Sequence, residues 1–172
     1  DDDLRITGKS GEETVNVGAN YTAEQLASAV NAEAAKTGVE ATATSTARLS
    51  LGGLQAGGDA VSFEINGRQI AATSIDSTND VTGLRDAVNA VAAETGVTAT
   101  MGDSDGEIIL KDTSGADIEI TGYSAGDAAT TTLNVVALQA DGSADTTATA
   151  DSVTLNDTDD EAVVVGQVEF SS

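Results

Sequence analysis

The chain has 172 residues, with 29 acidic and 7 basic side chains and a formal net charge of −22. Binding of nucleic acid or an anionic membrane needs clustered lysine and arginine, so the composition argues against both partners. Cysteine and histidine are absent, which removes disulfides and the commonest general base from consideration. No apolar run reaches membrane-spanning length.

The first predicted unit occupies residues 1–55 and has the order ββαββ. Strands near 4–7 and 14–17 alternate apolar and polar residues on either side of a glycine-containing turn, which is typical of a β-hairpin. A helix follows. After it, two more alternating stretches predict strands near 39–44 and 47–51.

The second predicted unit occupies residues 56–124 and repeats the order ββαββ. Residues 61–65 alternate before Asn66-Gly67, which is a strong hairpin signal. A helix follows, and then two strands are predicted on either side of a turn at 102–106. One further strand is predicted near 117–121.

The two helices, with the strands that follow them, are copies of each other. Residues 22–42 and 80–100 align in one register with 12 of 21 positions identical. Unrelated helices share composition, but they rarely share a helix, its end signal and the next strand in the same register. The chain therefore contains a duplicated supersecondary unit.

Each copy carries signals for both helix ends. Thr22 predicts an N-cap, and Gln25 three residues later completes a capping box. Asp80 is expected to cap the second helix. Gly38 and Gly96 are expected to end the helices in the left-handed conformation.

Residues 125–172 are predicted to form a β-rich return segment that packs on the earlier units. Strands are expected within 133–138, 152–155 and 163–170. The predicted fold class is therefore α+β. It consists of two tandem ββαββ-type units, each with one helix packed on a small, mostly antiparallel sheet, plus a C-terminal β-rich segment.

The sequence predicts no enzyme, and we assign no catalytic residue, cofactor or metal ligand. Nucleophilic triads need histidine or cysteine, and no carboxylate pair is marked out for glycosidase chemistry. Asp103–Glu107 and Asp157–Glu161 place oxygen ligands at alternate positions, as calcium loops do, but neither has the full twelve-residue pattern. We interpret both as solvated acidic turns.

Four asparagines fall in recognisable patterns. Asn20 and Asn156 each begin an N-glycosylation pattern, a match that is frequent by chance. Asn31 and Asn89 are the polar residues repeated beside the apolar helix face. We expect each of these two to form a hydrogen bond that fixes its helix to a loop.

A resemblance to a known family follows from these motifs. Residues 61–67 (VSFEING), the helix and strand at 84–100 and the GEIIL at 106–110 resemble the IN-type repeat in the outer part of bacterial flagellins. The first copy is similar from 26 to 51 but lacks Ile-Asn-Gly. The resemblance covers roughly residues 4–122.

The resemblance implies an extracellular structural subunit of the bacterial flagellar filament, with a surface-exposed outer domain that supports motility. The implied partners are other flagellin subunits in a helical homopolymer, with contacts between neighbouring outer domains left open. We expect the chain to be the variable outer (D2/D3-type) region of a longer flagellin, without the terminal helices that polymerise. Two alternatives are a hook-associated or filament-cap protein module, and a calcium-binding extracellular adhesin or surface-layer segment.

Overall fold

The structure is a computed structural model that describes residues 2–54, 58–126, 130–144, 152–156 and 158–172. Within these residues it contains twelve strands and four helical segments. The strands are β1 (Asp2–Thr7), β2 (Glu12–Val17), β3 (Glu40–Gly52), β4 (Asp59–Ile65), β5 (Arg68–Ile75), β6 (Thr98–Met101), β7 (Glu107–Asp112), β8 (Ile118–Ala125), β9 (Thr132–Ala137), β10 (Ser152–Leu155), β11 (Ala162–Val164) and β12 (Gln167–Ser171). The helices are α1 (Ala23–Ala32), α2 (Ala34–Thr37), α3 (Thr82–Ala90) and α4 (Ala92–Thr95).

The architecture is α+β, which confirms the predicted fold class. All the strand pairs described are antiparallel, and they form three sheets. One sheet is the β1–β2 hairpin, and a second has the order β11-β8-β4-β5. The third has the order β10-β9-β3-β7-β6, and β12 also pairs with β3.

The strand after the first helix differs from the prediction of two strands near 39–44 and 47–51. It is one continuous strand, β3, whose residues alternate between buried positions and exposed or partly buried ones along its whole length. The residues between the two predicted strands are Ser45 and Thr46, and neither glycine, proline, asparagine nor aspartate is there to form a turn. The first unit therefore has the order ββαβ, and its last strand extends into the second unit.

The two ends of β3 have different partners. Residues 40–44 pair with β12, whereas residues 45–50 pair with β7 on one edge and residues 47–52 pair with β9 on the other. The same strand also contributes to two hydrophobic cores. Ala41 and Ala43 belong to the smaller core beneath α1, and Ala47, Leu49 and Leu51 belong to the larger one.

The C-terminal residues form strands in both units. β9 and β10 extend the sheet of β3, β11 pairs with β8, and β12 pairs with the first half of β3. The single strand predicted within 163–170 is in fact two, because the chain changes sheet at Gly166. A Cβ atom at Gly166 would lie only 2.5 Å from the carbonyl oxygen of Gly115, so this crossing needs a glycine. The division of the chain at residues 55 and 124 stays a prediction.

Candidate functional site

The start of α1 is a complete capping box, as predicted. The Thr22 hydroxyl oxygen accepts from the backbone N–H of Gln25 at 3.3 Å, and Gln25 Oε1 accepts from the N–H of Thr22 at 3.1 Å. The prediction that Asp80 is the N-cap of the second helix is wrong, because Val81 is at that position. Val81 is buried in the larger core, and Asp80 instead accepts from the N–H of Thr82 at 3.2 Å.

The repeated asparagines join each helix to the strand that follows it. Asn31 donates from Nδ2 to the carbonyl of Ala41 and accepts at Oδ1 from its N–H, both at 2.8 Å. Asn89 makes the same two bonds to Ala99, again at 2.8 Å. The predicted hydrogen bond is confirmed, although its partner is a strand and not a loop. Each amide satisfies one N–H and one C=O on the strand edge that faces away from the neighbouring strand.

The ends of the two helices are also built alike. The hydroxyl of Thr37 donates to the carbonyl four residues earlier at 3.1 Å and accepts from the N–H two residues later at 3.2 Å. Thr95 makes the same bonds at 3.2 Å each. Gly38 and Gly96 have φ of +72° and +78°, which confirms the predicted left-handed helix ends.

The Ile-Asn-Gly signature ties the hairpin of the second unit to two other elements. Asn66 and Gly67 both have positive φ and form the tight turn between β4 and β5. Asn66 Nδ2 donates to the carbonyl of Thr95 at 2.9 Å, at the end of α4. Its Oδ1 accepts from the N–H of Glu119 in β8 at 2.9 Å. The asparagine therefore holds the hairpin, the helix end and β8 together.

The first unit lacks this signature and forms the equivalent bond with its backbone. The N–H of Ser10, in the turn between β1 and β2, donates to the carbonyl of Thr37 at 3.1 Å. Thr37 is the counterpart of Thr95 in the duplicated sequence. A backbone donor thus replaces the side chain of Asn66, which explains how the first copy folds without the motif.

The two units are bonded to each other where β3 passes between them. The loop between β7 and β8 accepts two hydrogen bonds from the first unit, at the carbonyls of Gly115 and Ala116. The donors are the N–H of Glu24 at 3.2 Å and the buried hydroxyl of Ser45 at 2.6 Å. Gly115 has a φ of +81°, and a Cβ added there would overlap that of Ala43. This junction therefore depends on glycine for both its backbone angle and its close packing.

The two acidic turns considered as calcium-binding loops lie on the surface or partly outside the described residues. Asp103 and Asp105 are exposed in the turn between β6 and β7, and the Glu107 carboxylate pairs with Arg48 at 3.6 Å. Asp157 lies outside the described residues, so the stretch Asp157–Glu161 is not placed as a whole. In the described ranges no group of three or more acidic side chains is arranged to hold a metal ion.

The asparagines of the two glycosylation patterns lie in turns. Asn20 is exposed with a φ of +66°, and the hydroxyl of Thr22 in the same pattern is the helix cap. Asn156 Oδ1 accepts from the N–H groups of Thr158 at 2.8 Å and Asp159 at 3.1 Å. Both asparagines therefore lie in local turn structure, and their modification stays a prediction.

A buried polar cluster was missed by the sequence reasoning. The Tyr123 hydroxyl donates to the carbonyl of Thr131 at 3.0 Å, and the Thr131 hydroxyl donates to Asp59 Oδ2 at 2.7 Å. Burial first, and then the negative charge of Asp59, raise the pKa of Tyr123 to about 12. The only sequence signal is Tyr123 itself, because a buried tyrosine needs a hydrogen-bond partner.

The geometry defines a class of protein: a repeated α+β building module whose shared features are internal hydrogen bonds that hold the fold together. Residues 3–52 and 62–114 match the flagellin hook IN motif family, and these segments make up more than half of the chain. The chain belongs to this family. No curated protein matches it at a significant level.

Membership supports a flagellin-related structural role, since the family is structural and not enzymatic. It implies assembly with other flagellin subunits and an extracellular location in the flagellar filament. In the part of the chain that the structure describes, no helix is long and apolar enough to cross a membrane.

Replacing Asn89 by alanine tests the bond between helix and strand. The substitution leaves the N–H and C=O of Ala99 without their partner, and we expect the free energy of unfolding to fall by about 1–2 kcal/mol in urea denaturation. Asn31→Ala is expected to behave alike. Asn79→Ala, at an exposed loop position before α3, is the control. An equal loss of stability in the control would contradict the stabilising role of the two hydrogen bonds between Asn89 and Ala99.

Gly115 and Gly122 form a matched pair for testing the junction. Both have left-handed φ, but a Cβ at Gly122 meets nothing within 4 Å. Gly122→Ala is expected to cost about 1 kcal/mol through its backbone angle. Gly115→Ala should cost about 1–3 kcal/mol more, because it also overlaps Ala43. Thermal and urea unfolding would measure both, and equal losses would mean that the packing at the junction is loose.

The raised pKa of Tyr123 predicts that the free energy of unfolding falls at alkaline pH. The phenol ionises near its ordinary value of 10.0 in the unfolded chain and near 12 in the folded protein. Below pH 10 both states hold the proton and the contribution is fully present. Between pH 10 and 12 the folded state alone holds it, so this stabilisation, about 2–3 kcal/mol, is lost as the pH rises.

The measurement uses a Tyr21→Phe background, in which the ultraviolet absorbance of phenolate reports Tyr123 alone. A further Tyr123→Phe variant should show a weaker fall in stability over the same pH range. An absorbance midpoint near pH 10 in the folded protein would show that the phenol is not held by burial.

Proposed function

We propose that this chain is part of the surface-exposed outer domain of a flagellin, which serves as a structural subunit of the flagellar filament and supports motility. The observation that carries the proposal is the match of both repeat units to the flagellin hook IN motif family. The hydrogen bonds of Asn31 and Asn89 support it, since the same pair of bonds joins the helix to the following strand in each copy. On this proposal the chain has no enzymatic role.

The distribution of charge agrees with a place on the outside of a dense assembly. Among the residues whose side chains are described, Asp59 and Asp112 are the only buried carboxylates. Nearly all of the described acidic groups therefore face outward, and the net charge is −22. Copies with this charge repel one another at low ionic strength, which keeps a closely spaced array soluble.

A second candidate is a hook-associated or filament-cap protein. The motif is named for the flagellar hook as well as for flagellin, and this supports the second candidate. Both candidates use the repeat as a structural module. They differ in where along the flagellum the module is found.

Immunogold electron microscopy of cells that make the protein separates these candidates. With an antibody raised against the purified chain, we expect gold along the whole filament shaft. Gold confined to the hook junction or the filament tip would move the assignment to an associated or cap protein. Gold on the cell body with bare filaments would contradict a flagellar role. Antibody pre-adsorbed with the purified chain is the control.

A further inference from the structure

The two repeat units correspond strand by strand, apart from one position. The β1–β2 hairpin corresponds to the β4–β5 hairpin, and the first half of β3 corresponds to β6. β12 then lies on β3 in the register that β7 has on β6. Phe170 lies opposite Ala41 just as Leu110 lies opposite Ala99. β12 is therefore the first unit's counterpart of β7, although it comes from the far end of the chain.

The position that differs is the one occupied by β8. In the second unit β8 pairs antiparallel with β4, with Ile120 opposite Ile65 and Thr121 opposite Glu64. In the first unit, among the described residues, β1 pairs with β2 alone. The outer edge of β1 thus presents backbone N–H and C=O groups that in β4 are bonded to a further strand.

The side chains next to this edge are also more exposed than their counterparts in the second unit. Leu110 is fully buried, whereas its counterpart Phe170 is 52% exposed. A groove of about 320 Å³ runs along the edge, and it is lined by Leu4–Thr7, Val39 and Phe170–Ser172. The groove therefore joins a free strand edge to an exposed aromatic side chain.

We propose that the groove between β1 and β12 is a docking site for an added β-strand that pairs antiparallel with β1 and covers Phe170. The occupant is an extended segment of the β8 type, with branched apolar residues at alternate positions. In β8 these are Ile118 and Ile120, and both are fully buried. The added strand supplies main-chain hydrogen bonds to β1, and its apolar face contacts Leu4 and Phe170. The proposal rests on the internal repeat and is independent of the flagellar assignment.

The test extends the chain after Ser172 with a copy of residues 113–125. Ser172 is the counterpart of Asp112 at the end of β7, so the copy has the spacing that β8 has in the second unit. The matched control extension has serine in place of both copied isoleucines. Hydrogen exchange of the backbone amides of Leu4–Thr7 is measured in the unextended chain, the extended chain and the control.

We expect the copied extension to slow exchange at the outward-facing amides of β1 by about ten-fold or more and to raise the melting temperature. The serine control should do neither. A peptide copying residues 117–125, added in trans at millimolar concentration, should shift the NMR signals of β1 and Phe170. Unchanged exchange in the extended chain, or equal slowing by the serine control, would overturn the proposal.

The remaining occupant is a second copy of the chain. Sedimentation equilibrium of the unextended chain measures self-association, and we expect a monomer at micromolar concentration. If the chain dimerises and dimerisation itself protects the β1 amides, the occupant is a second copy and not a β8-type strand. The proposed occupant would then be wrong.

Discussion

The structure depends on the unbroken pairing of β3. Its thirteen residues, Glu40–Gly52, bury every second side chain from the first core into the second. A single strand cannot shift its register at one end without moving side chains at the other. The pairings with β12, β7 and β9 are therefore coupled, and the two repeat units share a structural element as well as a sequence.

The repeated hydrogen bonds satisfy backbone groups in a fold where small side chains bury little apolar area. The smaller core is built almost entirely from alanine and valine. Such side chains bury little apolar area each, so a buried or edge backbone group that lacks a partner is a serious cost to stability. Asn31 and Asn89 each supply a donor and an acceptor to an edge strand, and Thr37 and Thr95 do so at the helix ends. The pattern repeated within this chain is thus one of satisfied polar groups as much as of apolar faces.

The same design suits a role on the outside of an assembly. Among the residues whose side chains are described, nearly all acidic groups lie outside the two hydrophobic cores. The exposed edge of β1 and the exposed Phe170 are departures from this pattern. Edge strands with neighbouring apolar side chains are the usual templates for further pairing.

Local signals in the sequence were enough to predict the duplicated helices, the hairpins, the α+β class and the family resemblance. Thr22, Gly38 and Asn66 act through residues close to them in the chain or through backbone angles, and such effects are encoded locally. The bond from Asn31 to its strand was also within reach, since only ten residues separate the partners.

The order of the strands depended on contacts between residues far apart in the chain. Nothing local to residues 167–171 indicates that they pair with residues 40–44, or that Ser45 bonds to Ala116. The cluster of Asp59, Tyr123 and Thr131 likewise forms only when Asp59 meets a segment that lies more than sixty residues later in the chain. Alternating residues predict that a strand exists and which face is apolar, but they carry no information about its neighbour, because every antiparallel edge presents the same backbone groups.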